Sequence, residues 1–334
     1  MIILLRSDAD PESVDALKKW LSGWNINVRS ADVFGNEALK LEGDLDKVDF
    51  SLVKSFDCVS MVTKAGDPFR YASRRNYPND TVIEVGGVKI GGGNFNVIAG
   101  PCSVESVGQI CGIAKSVKAS GATMLRGGAF KPRTSPYAFQ GLKSRGIEML
   151  LQAKKLTGMP VVSEIVDISS LPYFANVDII QVGARNMQNF ELLKELGHIN
   201  KPILLKRGPA NTIEEFLLSA EYILSGGNSR VILCERGVRT FENLTRNTLD
   251  IAAIPLLKKL SHLPVFADPS HACGRSDIVP DIAAACCAAG ADGVMVEVHN
   301  DPVNAYSDGA QSITPEAFDK MMKKIQAISA ISAV

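Results

Sequence analysis

The feature that most restricts how this chain can fold is a succession of eight short apolar runs: 97–99, 123–125, 160–163, 178–182, 202–205, 230–233, 263–267 and 293–296. Runs this short, bounded by polar stretches of helical periodicity, read as strands. Between them, 144–156 places Ile147, Leu150, Leu151 and Leu156 on one helical face. Thr212-Ile213-Glu214-Glu215 forms a capping box ahead of Phe216, Leu217, Ala220 and Leu224, and Gly226 stands where a C-cap is wanted. Thr314-Pro315 opens the last helix, with proline in the first turn, where it is tolerated. Eight strands alternating with eight helices over about 235 residues predict a (β/α)8 barrel. A doubly wound open sheet is the alternative, but no Gly-x-Gly-x-x-Gly follows the first strand.

The chain before this repeat has a different rhythm. Residues 1–66 read β-α-β-β-α-β: a strand at 2–5, a helix at 11–21, strands at 26–33 and 38–41 around a Gly35-Asn36 turn, a helix at 46–53 and a strand at 59–62. That order predicts a small ferredoxin-like α+β domain. Residues 67–92 read as a linker followed by a hairpin around Gly86-Gly87 that could plug one barrel end, and 93–334 as the barrel. Thirty-six basic residues balance 36 acidic ones, which gives no pull toward nucleic acid or an anionic membrane surface. No apolar run reaches the roughly 18–20 residues of a membrane span. Met1–Leu5 is too short for a signal segment and is followed by Asp8, Asp10 and Glu12. Seven cysteines without framework spacing argue for a reducing compartment, and the expected location is the cytoplasm.

Each predicted strand exits into chemistry at its carboxyl end. Cys102 follows the first run; Arg126, Lys131 and Arg133 the second; Glu164 ends the third; Gln181 and Arg185-Asn186 follow the fourth. Lys206-Arg207, Glu235-Arg236, His271, and Glu297 with His299 complete the circuit. In a parallel barrel these ends share one face, where such barrels carry their active sites. The cations Arg126, Lys131, Arg133, Arg185, Lys206 and Arg236 would ring one mouth, which calls for small, highly anionic guests such as two phosphorylated substrates. Glycines at Gly127-Gly128, Gly183, Gly208 and Gly237 would let backbone approach a ligand closely. Cys102, His271, Glu297 and Asp308 form a mixed S/N/O set that suits a divalent transition metal. His299 also lies at the mouth, so either imidazole could serve; His271 is the favoured ligand. Cys111, Cys286 and Cys287 read as core, Cys234 as a mouth residue without obvious partners, and His198 and His262 as surface residues.

The strings 99–103 (Ala-Gly-Pro-Cys-Ser), 126–135 (Arg-Gly-Gly-Ala-Phe-Lys-Pro-Arg-Thr-Ser), 182–186 (Val-Gly-Ala-Arg-Asn) and 205–208 (Leu-Lys-Arg-Gly) continue into 234–237 (Cys-Glu-Arg-Gly), 268–271 (Asp-Pro-Ser-His), 297–299 (Glu-Val-His) and 307–309 (Ser-Asp-Gly). In that order they resemble 3-deoxy-D-arabino-heptulosonate 7-phosphate (DAHP) synthases of type I, in the short subgroup that carries an N-terminal ferredoxin-like module. The resemblance implies condensation of phosphoenolpyruvate with erythrose 4-phosphate, a divalent ion of the Mn, Fe, Co or Zn class on the four ligands named above, and a homotetramer. It implies that Arg126, Lys131 and Lys206 lie near the phosphoenolpyruvate carboxylate, and that Arg185, Arg236 and the Ala184 backbone hold its phosphate. Arg133 and Thr134, beside Ser135, would hold the phosphate of erythrose 4-phosphate. Glu164, Asp268 and His299 would support catalysis with Lys131. The N-terminal module would be a feedback domain for an aromatic amino acid. The sister family, 3-deoxy-D-manno-octulosonate 8-phosphate synthase, takes a five-carbon aldose phosphate and typically lacks the Lys131-Pro132-Arg133-Thr134 pattern. A metabolite-binding barrel without catalysis is the reading from another class.

Overall fold

The computed structural model describes residues 1–33, 36–45, 48–63, 68–131 and 135–332. It divides into two compact units, Met1–Pro68 and Phe69–Val334.

In the first unit, β1 (Ile2–Leu5), α1 (Pro11–Ser22), β2 (Asn27–Val33), β3 (Asn36–Glu42), α2 (Phe50–Lys54) and β4 (Val59–Thr63) follow one another. The sheet order β2-β3-β1-β4 is antiparallel throughout, as a ferredoxin-like domain requires. Ile3, Leu5, Leu17, Leu21, Leu39, Leu41 and Val53 fill its core. Asp10 caps α1 by accepting from Ser13 N at 3.1 Å, with Pro11 in the first turn. The second helix is shorter than 46–53 because Asp49 accepts from Ser51 N at 2.8 Å and starts it there. Residues 46 and 47, like Gly35 of the expected turn, lie outside the described residues.

The second unit opens with a hairpin, β5 (Ile83–Val85) and β6 (Val88–Ile90). The chain then runs β7 (Asn96–Gly100), α3 (Val107–Ala119), β8 (Met124–Arg126), α4 (Lys143–Thr157), β9 (Val161–Ile165) and β10 (Ile179–Val182). After α5 (Phe190–Gly197) come β11 (Ile203–Lys206), α6 (Ile213–Ser225), β12 (Val231–Glu235), α7 (Ala253–Leu260) and β13 (Val265–Ala267). The last elements are α8 (Pro269–Cys273), α9 (Val279–Ala288), β14 (Gly293–Glu297) and α10 (Pro315–Ser332). The eight strands β7 to β14 are parallel and close into a barrel, β14 pairing with β7. Alternation along the strands sends Ile98, Met124, Val162, Ile179, Leu204, Ile232 with Cys234, Phe266 and Met295 inward. Their neighbours Val97, Ala99, Leu125, Val161 and the rest pack outward against the helices.

Ile83, Val85 and Ile90 of the hairpin join the inward cluster from the amino ends of the strands. Asn96 Nδ2 donates to Lys89 O at 2.8 Å and Arg230 Nη2 to Glu84 O at 2.6 Å, anchoring the hairpin there. At Gly86 (φ +54°) a Cβ would come within 2.8 Å of Pro160 Cγ, so this close approach requires glycine.

Several expectations need correction. Between β9 and β10 the chain forms 3-10 turns, Ile168–Phe174, where Pro172 removes a donor, and α8 is an extra short helix before α9. Leu156 is 52 % exposed, one turn past the buried stripe of Ile147 and Leu150. His262 is buried rather than superficial: its Nδ1 meets Thr81 Oγ1 and its Nε2 meets Tyr71 O, each at 2.7 Å. Cys234 belongs to the inward apolar cluster rather than to the mouth. The Thr212–Glu215 capping box is present, and Gly226 is the C-cap in right-handed geometry, with Gly227 taking the positive φ. Among the described residues no helix is long and apolar enough to cross a membrane.

Candidate active site and metal centre

Closing the barrel brings the first and last strands together, with Gly100 in register with Glu297. Cys102 sits two residues past β7, Glu297 is the last residue of β14, His271 lies on α8 and Asp308 on the loop before α10. One ligand atom from each lies within 4.8 Å of all the others. Cys102 Sγ is 3.0 Å from Asp308 Oδ2, and His271 Nε2 is 3.4 Å from Glu297 Oε1.

Local sequence explains how each is aimed. Asp268 caps α8, its Oδ1 accepting from His271 N at 2.9 Å, and Pro269 fits the first turn. Its Oδ2 lies 2.8 Å from His271 Nδ1, so the ring's proton belongs on Nδ1 and the Nε2 lone pair points toward the other ligands. Lys206 Nζ contacts the same Asp268 oxygen. Glu297 is fully buried, and its Oε2 accepts from Gln311 Nε2 at 2.7 Å. Arg126 Nη1 lies 3.0 Å from Glu297 Oε1, yet neither atom has an aligned hydrogen bond. A buried acceptor left in this state costs about 1–3 kcal/mol.

That bare oxygen is what a cation would take up. A thiol, an imidazole lone pair and two carboxylate oxygens within 4.8 Å make a donor set for a borderline divalent transition metal. Burial pushes the Cys102 thiol up to about 12, the charges of Glu297 and Asp308 add to this, and Lys131 Nζ at 3.1 Å opposes it. A bound metal would reverse that preference by taking the thiolate. Burial also lowers His271, against the pull of Asp268 and Glu297. Although burial disfavours their charged forms, Asp268 is held well below the carboxylate range by His271 and Lys206. Asp308 is held low by His271, the Cys102 contact and Arg246. Glu297 is held low by His271 and Arg126.

Cys102, His271 and Asp308 line a solvent-open cavity of about 230 Å³, and Glu297 lies buried against them. Lys131, Arg185, Lys206 and Arg236 line it with Glu164 and Ala184. Gln181 Nε2 donates to Glu164 Oε2 at 3.2 Å and sets that carboxylate. Arg236 Nη2 donates to His271 O at 3.2 Å.

Not every expected residue is on the wall. Arg126 is 3 % exposed and lies beneath it, against Glu297. Ser135 is exposed and does not line the cavity; its Oγ accepts from Tyr137 N at 3.3 Å. Arg133 and Thr134 lie outside the described residues. His299 is buried but does not line the cavity. Its Nδ1 accepts from Asp301 N at 3.0 Å, and its Nε2 lies 3.1 Å from Gln109 Nε2 and 3.4 Å from Glu105 Oε1. Arg207 is absorbed in ion pairs with Glu235 (2.9 Å) and Asp250 (3.0 Å). The glycines serve the chain's own side chains more than a guest. A Cβ at Gly128 would lie 2.4 Å from Lys131 Nζ, and one at Gly183 would lie 2.0 Å from Glu164 Oε1.

Sequence reasoning missed Arg239, Arg246 and Asn247, which line the cavity, and Gln311, which holds Glu297. The two arginines share the exit loop of β12 with Arg236, and that placement was the only signal for them.

The model of the DAHP synthetase I family matches residues 74–331. The chain is 47 % identical over 330 residues to the phospho-2-dehydro-3-deoxyheptonate aldolase of Thermotoga maritima, covering 98 % of each. A crystal structure of the Thermotoga maritima DAHP synthase superposes with a TM-score of 0.83 at 46 % identity, covering 99 % of this chain and 98 % of that one. The 2-dehydro-3-deoxyphosphooctonate aldolase of Geobacter sulfurreducens is 32 % identical over 270 residues, 75 % of this chain and 98 % of that protein.

Proposed function

We propose, for a chain that belongs to the DAHP synthetase I family, a specific division of labour among its residues. It is an enzyme of the DAHP synthase class, which condenses phosphoenolpyruvate with erythrose 4-phosphate and water to the seven-carbon keto acid phosphate and inorganic phosphate. The observation that carries the residue assignment is the cluster of four potential metal-ligand atoms, three of them on residues lining a cavity that cations also line and the fourth on the buried Glu297.

Lys131 and Lys206 hold the phosphoenolpyruvate carboxylate, with Arg126 adding positive potential from below. Arg185, Arg236 and the Ala184 backbone hold its phosphate. Arg133 and Thr134, with Ser135, take the aldose phosphate. Cys102, His271, Glu297 and Asp308 would hold a divalent ion of the Mn, Fe, Co or Zn class. When bound, that ion supplies Lewis acidity toward the aldehyde oxygen. C3 of phosphoenolpyruvate attacks the aldehyde carbon, water adds at C2, and phosphate leaves from the resulting hemiketal phosphate. Lys131 Nζ, 3.1 Å from Cys102 Sγ, stands where it can donate a proton to the developing alkoxide. Glu164 is set to orient the water, and Asp268 holds His271 and Lys206. His299 acts from behind the cavity through the loops of Glu105 and Asp301. Holding two mutually repelling anions in contact supplies much of the rate.

The test measures phosphate release from phosphoenolpyruvate with erythrose 4-phosphate or arabinose 5-phosphate, before and after metal stripping. Preference for the five-carbon sugar would favour the octulosonate reading, which the lower identity of those relatives makes the weaker one. Full activity of rigorously metal-free protein would sink the metal assignment.

Residues 1–66 are proposed as a feedback domain for tyrosine or phenylalanine, 67–92 as linker and barrel-capping hairpin, and 93–334 as the catalytic barrel of a cytoplasmic homotetramer. Ligand would favour a conformation with lower activity, a population shift. If neither amino acid changes the rate or the melting temperature of the full chain, the feedback role is wrong. Sedimentation gives the subunit count.

A further inference from the structure

We propose that Arg246 and Gln311 are positioning residues that select which oxygen of Asp308 and of Glu297 faces the metal. The proposal rests on the reading that Cys102, His271, Glu297 and Asp308 hold one divalent ion.

A carboxylate has two equivalent oxygens, and a site that needs one of them must occupy the other. Here a single guanidinium begins the arrangement for both acids. Arg246 Nη1 lies 3.1 Å from Asp308 Oδ1 and 3.0 Å from Gln311 Oε1. Gln311 Nε2 in turn donates to Glu297 Oε2 at 2.7 Å. The Gln311 amide is therefore used at both ends, and its polarity is dictated: a flipped amide would set NH2 against a cation and C=O against an anion. What remains is Asp308 Oδ2, 3.0 Å from Cys102 Sγ, and Glu297 Oε1, which accepts no aligned hydrogen bond although Arg126 Nη1 lies 3.0 Å away, and which is 3.4 Å from His271 Nε2. These two oxygens complete the ligand set. His271 follows the same rule, its Nδ1 held by Asp268 and its Nε2 left over.

Arg246 is itself fixed to the helix that carries the histidine ligand. Its N donates to Cys273 O at 3.0 Å, Asn247 N donates to Ala272 O at 2.8 Å, and Asn247 Nδ2 donates to His271 O at 3.1 Å. Gly274 (φ +68°) makes this docking possible, since a Cβ there would lie 2.5 Å from Arg246 Cβ. Asp308 has φ +53°, a left-handed conformation that disfavours a residue with a Cβ and that outside contacts must hold. The β12 exit loop thus ties α8 to the Asp308 loop: the Arg246 side chain orders Asp308 and, through Gln311, Glu297, while the Arg246 backbone and Asn247 dock on the helix of His271.

The experiment titrates metal-stripped full-length protein with Co²⁺, without substrate, and reads the thiolate-to-cobalt charge-transfer band. Arg246→Met and Gln311→Leu should each weaken Co²⁺ binding by about 10–100-fold, the usual effect of losing a group that orients a ligand. Arg246→Lys, with one point-like donor, should fall between. Arg239→Met, which removes another cavity cation, should keep wild-type affinity and so separates positioning from bulk charge. The Arg246 side chain is 39 % exposed, so Arg246→Met carries the test even if Gln311→Leu melts early. Wild-type affinity in Arg246→Met, or equal weakening in Arg239→Met, overturns the proposal. Absence of the band in the wild-type protein overturns it together with the metal assignment beneath it.

Discussion

At the amino ends of the barrel strands, Ile83, Val85 and Ile90 of the hairpin pack on Ile98, Met124, Ile232 and Phe266, and the interior is apolar. A few residues along the same strands, at their carboxyl ends, Arg126, Lys206, Glu235 and Glu297 are each no more than 3 % exposed and carry charge. The first end lowers free energy by removing hydrocarbon from water. The second works against folding, because each buried charge must recover its lost hydration from a partner. Lys206 with Asp268 and Arg207 with Glu235 do so fully, whereas Arg126 and Glu297 leave atoms without hydrogen bonds. A barrel can tolerate that deficit at one end because the other end and the outer helix layer provide the stability. Strain and unmet valence therefore collect at the mouth, where the chemistry is.

Predictions can break this contrast or sharpen it. The largest effect belongs to Cys102→Ala: metal affinity should fall by at least about 100-fold, the upper end of what losing a mere orienting partner costs. Activity should fall with it while the melting temperature of the metal-free protein stays near wild type; equilibrium dialysis with a thermal melt checks both. At the opposite end, Ile90→Ala should cost about 2–5 kcal/mol of stability and leave kcat/KM unchanged at a temperature where the protein is folded. A parallel loss of catalytic efficiency would show that the two ends are not separable.

The third effect is pH-linked. With the Cys102 thiol at about 12 and His271 lowered, metal binding near neutrality displaces one thiol proton. Affinity should then rise about tenfold per pH unit between roughly pH 7 and 9, and Cys102→Ala should flatten the slope. In metal-free protein the sign is opposite. A thiol raised above its unfolded value, about 8.5, contributes stability below that pH. The contribution is lost as pH rises from there toward about 12, and melts across alkaline pH read it. The smallest effect is Thr212→Ala, which removes the cap on α6 and should cost about 1 kcal/mol with no change in metal affinity. It serves as a structural control.

The barrel was legible because its signals are local. Thr212 and Glu215 are three residues apart, Pro315 marks a helix start, and each strand is a single apolar run between turns. The chemical groups that meet in the cluster were legible for a related reason, since Cys102, His271 and Glu297 each stand at or just after a strand's carboxyl end. Leu156 and His262 were misjudged because burial depends on what packs opposite. In His262's case that is Thr81 and Tyr71, far away in sequence. His299 stayed a second choice to His271 from its place beside β14, and its ring is held by Glu105, Gln109 and Asp301 and does not line the cavity.

The sequence by itself determined the alternation of strand and helix, the face on which polar exits gather, and the chemical kinds of group available there. These follow from periodicity and from caps, which act over a few residues. Only the tertiary structure decided which oxygens of Asp308 and Glu297 take the Arg246 and Gln311 contacts, that Arg126 lies under the cavity, and that Arg246 holds both the Asp308 loop and α8. Apart from the Gln311–Glu297 contact, 14 positions apart, and the backbone docking on α8, those choices depend on distances between side chains 62 to 206 positions apart in the chain. Such distances exist only once the barrel has closed.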